Sequence, residues 1–338
     1  MRLAAILAGL ALTGLASLAI GGIGRAAEPP PLVLEGKIAL GSVAGRIDHF
    51  ALDADHGRLF VAEQGNDSVA IVDLKEGRVA RRLSGLRVPH GIAYHAATGT
   101  LYVANAGDGS VRLYQGPDFA PAGTISLGDD ADNVLLDPGR DRIVIGYSRG
   151  ALAMIDPVSH RKVGEIFLWG HPESFLFDDS GARLFVNIPD ATQIAIVDVA
   201  RGEQTSILDM GGAHANFPMA FDADRHRLMI AFRNPARLSV FDTDSGTRAI
   251  DIDTCHDADD VSVDARRQRL YVSCGEGSID VFDAKEGYAR IARLPTVTGA
   301  STSLFVPSLV ASGNDRLYLG VRATRTEPAA VWVFRPQP

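Results

Sequence analysis

The sequence predicts an all-β protein: a seven-bladed β-propeller with four-stranded antiparallel blades, its ring closed by an N-terminal strand in the last blade. Three observations carry this. A short apolar run recurs seven times at near-constant spacing, each copy has the same turn residues around it, and the two ends of the chain hold complementary pieces of one blade.

The recurrent run is Arg58-Leu59-Phe60-Val61-Ala62, then Thr100-Leu101-Tyr102-Val103-Ala104, Arg142-Ile143-Val144-Ile145, Arg183-Leu184-Phe185-Val186, Arg227-Leu228-Met229-Ile230, Arg269-Leu270-Tyr271-Val272 and Arg316-Leu317-Tyr318-Leu319. From Leu59 the steps to the next copy are 42, 42, 41, 44, 42 and 47 residues. Six residues before the Leu or Ile stands Asp53, Asp137, Asp178, Asp222 or Asp264, with His95 and Ala311 in the remaining copies. The polar stretch between that position and the run marks a hairpin turn. About ten residues after the Leu or Ile comes an alternating strand ending in Asp73, Asp198, Asp242 or Asp283, whose aspartates serve turn chemistry. A Gly-containing turn and a more polar strand follow, which makes four short strands per repeat, the pattern of a propeller blade. No segment has helical periodicity.

The ends predict the closure. After Leu317 the seventh repeat has one further strand, Ala330-Val331-Trp332-Val333-Phe334, and lacks a fourth. Ahead of the first repeat lies a spare strand, Lys37-Ile38-Ala39-Leu40, which would complete blade seven and remove the open edges.

Residues 1–26 read as a leader. Met1-Arg2 is basic, Leu3 to Ile23 is almost entirely apolar, and Gly24-Arg25-Ala26 offers small residues for cleavage after Ala26. The alternative is an uncleaved anchor. The expected organisation is therefore 1–26 signal peptide, 27–36 linker and 37–338 propeller, with the mature chain periplasmic or secreted and without a membrane span. Loss of Arg2 and Arg25 leaves 31 basic against 41 acidic residues, and the basic residues are scattered, which argues against nucleic acid as a partner. Cys255 and Cys274 are an even pair and are expected to form a disulfide in an exported chain.

The Leu101-Tyr102-Val103-Ala104-Asn105 tract and the blade of about 42 residues resemble the YVTN-repeat, YncE-like periplasmic propellers over nearly the whole mature chain. The resemblance implies fold and compartment; members are mostly described as binding or surface proteins. The wider seven-bladed set also includes lactonases, a nitrite-reductase haem domain and a nitrous-oxide-reductase copper domain, and copper of that kind needs a denser histidine set than this chain carries.

Propellers place function where the outer strand of one blade leads into the inner strand of the next. The eleventh position before each Leu or Ile holds Asp48, His90, Asp132, Glu173, Phe217, Asp259 and Val306. With their neighbours these loops give a candidate ligand site of Asp48, His49, His90, Asp132, Asn133, Glu173, Asn216, His256, Asp259 and Asp260. The loops also carry His171, Ser174 and His214, read as lying further out, and Arg233, Asn234 and Arg237 follow on the mouth side. The expectation is an acidic, His-bearing cup for a small molecule or a protein. No cofactor is fixed by the sequence, and a divalent metal is the candidate. A structural role, with these residues hydrogen-bonding loop amides of the next blade, stands beside it. A hydrolase or lyase using His49 or His90 as base with Asp132, Glu173 or Asp259 is the alternative function; Gly-x-Ser-x-Gly and His-Glu-x-x-His motifs are absent. His56, His160 and His226 are expected on the opposite face.

Overall fold

The computed structural model describes residues 29–137, 139–285, 287–308 and 315–338, so the leader and its cleavage point lie outside the described residues. Strand β1 is Leu32–Gly41. Blade one is β2 to β5 (Phe50–Asp53, Arg58–Glu63, Ser68–Asp73, Arg78–Ser84), and blade two is β6 to β9 (Pro89–His95, Thr100–Asn105, Ser110–Gln115, Ala120–Ser126). Blade three is β10 to β13 (Ala131–Asp137, Arg142–Tyr147, Ala151–Ile155, Lys162–Phe167), and blade four is β14 to β17 (Phe175–Phe177, Arg183–Ile188, Gln193–Asp198, Glu203–Leu208). Blade five is β18 to β21 (His214–Asp222, Arg227–Asn234, Ala236–Asp242, Arg248–Asp253), and blade six is β22 to β25 (Ala258–Asp264, Arg269–Cys274, Ser278–Asp283, Arg290–Pro295). Blade seven holds β26 to β28 (Ser303–Val306, Arg316–Val321, Ala329–Pro336) and takes β1 as its outer strand, in the order β1-β28-β27-β26. The innermost strands touch in chain order and β26 touches β2, which closes the ring.

The pattern of the repeat follows from burial. Second strands are packed on both faces, so β3, β7, β15 and β23 are buried from their second residue on, as β19 is from Leu228 to Phe232, and they read as apolar runs. Outer strands have one wet face, and β21 alternates accordingly. The cores lie between blades: one unites Met229 and Val240 of blade five with Val272 and Phe282 of blade six. Leu59, Leu101, Leu184, Leu228 and Leu270 are all at most 1% exposed, and truncating any of them to Ala removes roughly 2–5 kcal/mol.

Closure by the N-terminal strand is as expected, but β1 starts earlier. It pairs with β28 from Leu32↔Pro336 through Gly41↔Ala329, so residues 32–36, read as linker, belong to the seventh blade. Glu35 accepts ion pairs from Arg335 at 2.6 Å and Arg316 at 2.7 Å, and Lys37 Nζ sits 4.1 Å from the Trp332 ring centroid.

The recurrent aspartates at the hairpin end have a common task. Asp53, Asp137, Asp178, Asp222 and Asp264 each accept a main-chain N–H within the turn that follows, from His56, Gly139 and Arg140, Arg183, Arg225 and Arg267 respectively. Asp73, Asp198, Asp242 and Asp283 do the same after the third strands. Cys255 and Cys274 form the expected disulfide, with Cα atoms 5.9 Å apart.

Candidate functional site

The mouth of the channel is built by a repeated backbone device. Thirteen residues before the apolar anchor, Val88, Asp130, Ala215 and Asp257 have φ of 52°, 41°, 59° and 60°, in the left-handed region that non-glycine residues seldom occupy. Each inner strand then opens with a register shift, at Pro89/Ile92, Ala131/Val134, Asn216/Met219 and Ala258/Asp260. Such bulges re-aim side chains. Neighbouring inner strands come very close: a Cβ on Gly91 would lie 2.3 Å from the Asp132 carbonyl oxygen, so only glycine lets blade two approach blade three there.

The result is a cavity of about 210 Å³ lined by side chains from blades two, three, five and six and from the loops before blades one and four. Its first half is a network of carboxylates and imidazoles. His49 Nδ1 lies 3.0 Å from Asp48 Oδ1 without hydrogen-bond alignment, so that nitrogen is buried with no hydrogen-bond partner. His90 Nδ1 lies 3.0 Å from Asp132 Oδ1, and His171 Nε2 lies 3.4 Å from Asp132 Oδ2. Gln64 bridges Asp48 and His90. The side chain of Glu173 makes no hydrogen bond among the described residues, although Asn133 Nδ2 donates to its backbone carbonyl at 3.2 Å.

These placements set the charges. Burial disfavours an imidazolium at His49, but the Asp48 carboxylate outweighs it and holds the pKa at about 9. His171 reaches about 9 in the same way, burial being overcome by Asp132 and the Ser148 carbonyl. Burial also opposes the charge on Asp132, yet His171 and His90 pull its pKa below the ordinary value. Glu173 goes the other way: burial, then the nearby Asp132 charge, push it up to about 7. Burial and Asp259 raise Asp260 to about 8, even though it accepts the Ser303 N–H at 2.5 Å. Asp132, His171 and Glu173 each offer one donor atom within 4.8 Å of the others, a spacing that suits a cation.

The second half is built on arginine. Arg233 Nη2 donates to Asp259 Oδ1 at 2.5 Å and its Nε to the Ala258 carbonyl at 3.0 Å, while its guanidinium lies 4.0 Å from the Phe217 ring centroid. Arg46 Nη2 reaches Asp259 Oδ2 at 3.3 Å, and the Ser301 hydroxyl donates to the same oxygen at 2.8 Å.

Of the expected residues, Asp48, His49, His90, Asp132, Asn133, Glu173, Asp259 and Asp260 line this cavity, with Ser174. Asn216 does not: it is fully buried and its Nδ2 donates to Asn187 Oδ1 and the Gln193 carbonyl, clamping blade four to blade five. His256 is exposed outside the cup, its main-chain N–H donating to Glu276. The seventh blade presents Ser301 rather than Val306. Nine residues separate β26 from β27, where four separate the corresponding strands of blade six, and the pairing Leu317↔Phe305 confirms the five-residue offset. His171 does not line the cavity itself but backs it, its Nε2 3.4 Å from Asp132 Oδ2, while Arg46 and Phe217 are among the lining residues. Arg46 and His171 hold the same repeat position as the left-handed residues of the other blades but are not left-handed themselves. In both blades the preceding residue is glycine, Gly45 or Gly170, where the other blades carry Arg87, Asp129, His214, His256 or Thr298, and Gly45 takes the left-handed conformation (φ 81°) in place of Arg46.

No family model matches the chain, and no curated protein matches it in sequence. Among solved structures it is similar to Kuenenia stuttgartiensis hydrazine synthase, with a TM-score of 0.69 and 17% identity over 86% of this chain and 96% of that one. At that identity the likeness is one of fold.

Proposed function

We propose that this chain is an exported binding protein of the YVTN-repeat kind whose channel mouth takes a divalent cation, held by Asp132, His171 and Glu173. One observation carries the reading: these three present donor atoms within 4.8 Å of one another, and the Glu173 carboxylate has no hydrogen-bond donor among the described residues. Five carboxylates line the cavity beside two guanidinium groups and the imidazoles of His49 and His90, and two of the five, Glu173 and Asp260, have their pKa pushed up by burial and by carboxylate neighbours. A cation relieves that crowding. Two carboxylate oxygens and one imidazole suit Mn²⁺ or Zn²⁺ better than a soft ion such as Cu⁺. The apolar leader and the disulfide support export, and among the described residues no helix is long and apolar enough to cross a membrane. The YVTN assignment rests on the Leu101–Asn105 tract, which forms the fully buried β7.

The test is calorimetric titration of chelator-treated mature protein with Mn²⁺ and Zn²⁺, alongside Asp132→Asn. One ion per chain, weakened at least a hundredfold by the substitution, is the expected result. No binding by the wild type, or equal binding by the variant, overturns the proposal.

A further inference from the structure

Beside the cup lies a second chamber of about 310 Å³, and the two share Arg46, Arg233 and Asp259. The chamber adds Arg322, Asp257 and Ser301. We infer that this chamber is an anion subsite of the mouth, so that the molecule taken there is a small organic carboxylate bound beside the cation. The inference rests on the cation reading for the second half of that statement, and on the arginines alone for the first.

The charges argue for it. Three guanidinium groups face two carboxylates, and both carboxylates are already engaged. Asp259 takes Arg233, Arg46 and the Ser301 hydroxyl, and Asp257 lies 3.2 Å from Arg233 Nε. Arg322 has no acidic partner among the described residues and is exposed to the chamber. Its position is prepared by the backbone. Gly299, φ 83°, occupies the left-handed position that Asp257 occupies one blade earlier, and a Cβ there would come within 2.6 Å of three atoms of the Arg322 guanidinium. A side chain at 299 would therefore displace the guanidinium that glycine lets lie against the main chain. An arginine without an acidic partner keeps its planar fork available, and that fork matches a carboxylate by two parallel hydrogen bonds. Arg46, half exposed and paired with Asp48 and Asp259, adds positive charge to the same chamber.

Succinate is the probe, because it carries two carboxylates and chelates metal weakly. Mature wild type and Arg322→Ala would be titrated by calorimetry, each metal-free and Mn²⁺-loaded, with thermal midpoints confirming that both fold. Succinate is expected to bind the wild type in the millimolar range or tighter and at least tenfold more weakly to Arg322→Ala, with Mn²⁺ affinity unchanged; Arg322→Lys should recover only part of the loss. No succinate binding at 10 mM, or equal binding by Arg322→Ala, overturns the inference. If Mn²⁺ fails to bind while succinate still distinguishes the two proteins, the arginine subsite stands and the cation reading alone falls.

Discussion

Replacing Glu173 by glutamine should make the metal-free protein more stable at high pH, an unusual result for a buried substitution. The Glu173 carboxyl titrates at about 7 in the folded chain, raised by burial and by Asp132, against an ordinary 4.5. A group whose folded pKa is raised contributes its full stability below the unfolded value and loses it as pH climbs through the folded value. At about 1.4 kcal/mol per decade, ionising Glu173 in place costs about 3 kcal/mol at pH 8 and under about 1 kcal/mol at pH 5. Glutamine keeps the shape and has no such proton to lose. His171 forfeits a neighbouring carboxylate in the variant, which offsets part of the gain. The stability difference should therefore grow by about 2 kcal/mol in favour of Glu173→Gln between pH 5 and pH 8. With about 2.1 cal/mol/K of unfolding entropy per residue over roughly 300 ordered residues, that is a relative rise of about 3 °C in melting temperature. The assay is thermal unfolding of chelator-treated protein at the two pH values and constant ionic strength. With Mn²⁺ present at a hundred times its dissociation constant the order should reverse, since the wild type alone gains about 2.7 kcal/mol from binding. A difference that stays flat between pH 5 and 8 refutes the claim that this carboxyl is forced to ionise in an unfavourable place.

Two further outcomes test the scaffold. Changing Cys255 and Cys274 together to Ala removes a crosslink spanning 19 residues, worth about 3 kcal/mol on the loop-entropy scale, and should lower the melting temperature by about 5 °C; differential scanning fluorimetry with and without reductant reads it. Deleting residues 32–41 strips β28 of its partner and leaves an unpaired strand edge, so light scattering should find aggregates or strand-exchanged oligomers instead of a folded monomer.

Much of the fold was legible because the ring forces a repeated environment on each strand. Second strands are buried on both faces, so Leu-Phe-Val and Leu-Tyr-Val runs mark them without any alignment. The half-blades at the two ends declared the closure, and two cysteines at one end of a hairpin declared the disulfide. The site was legible only as far as the repeat stayed in register. Val306 was expected at the mouth because the 47-residue step was assumed to fall outside the first hairpin, and it falls within it, which brings Ser301 to that place. Arg46 was missed for a subtler reason. The residue at its position turns left-handed in other blades, whereas in blade one the left-handed residue is Gly45, one position earlier, so the repeat slips by a residue there. Asn216 was misjudged because an asparagine beside the mouth can serve the neighbouring blade's main chain as readily as a ligand.

The same inner strands and the turns they lead into carry acidic side chains at both ends, and the contrast between the ends bears most directly on function. At the hairpin end, Asp53, Asp137, Asp178, Asp222 and Asp264 each accept a main-chain N–H, which is the satisfied, structural use of the residue. At the mouth, Asp48, Asp132, Glu173 and Asp259 accept no main-chain N–H among the described residues; apart from the Gln64 amide and the Ser301 hydroxyl, what faces them is charged or chargeable. Asp260 alone follows the structural pattern, through Ser303. Holding loop amides of the next blade, the bland explanation for acids in this ring, thus accounts for one of the five and leaves four. Carboxylates that only stabilised the ring would be expected to find amides or lie in water, where their charge costs little. These are crowded into a partly enclosed cup whose cationic partners are arginines and imidazoles of raised pKa, about 9 at His49 and His171, and one of them, the Glu173 carboxylate, accepts no hydrogen bond among the described residues. Asp48 and Asp132 are held ionised by the imidazoles around them, so the unfavourable member is Glu173, and it is on this unpartnered carboxylate that the proposal of a cation turns.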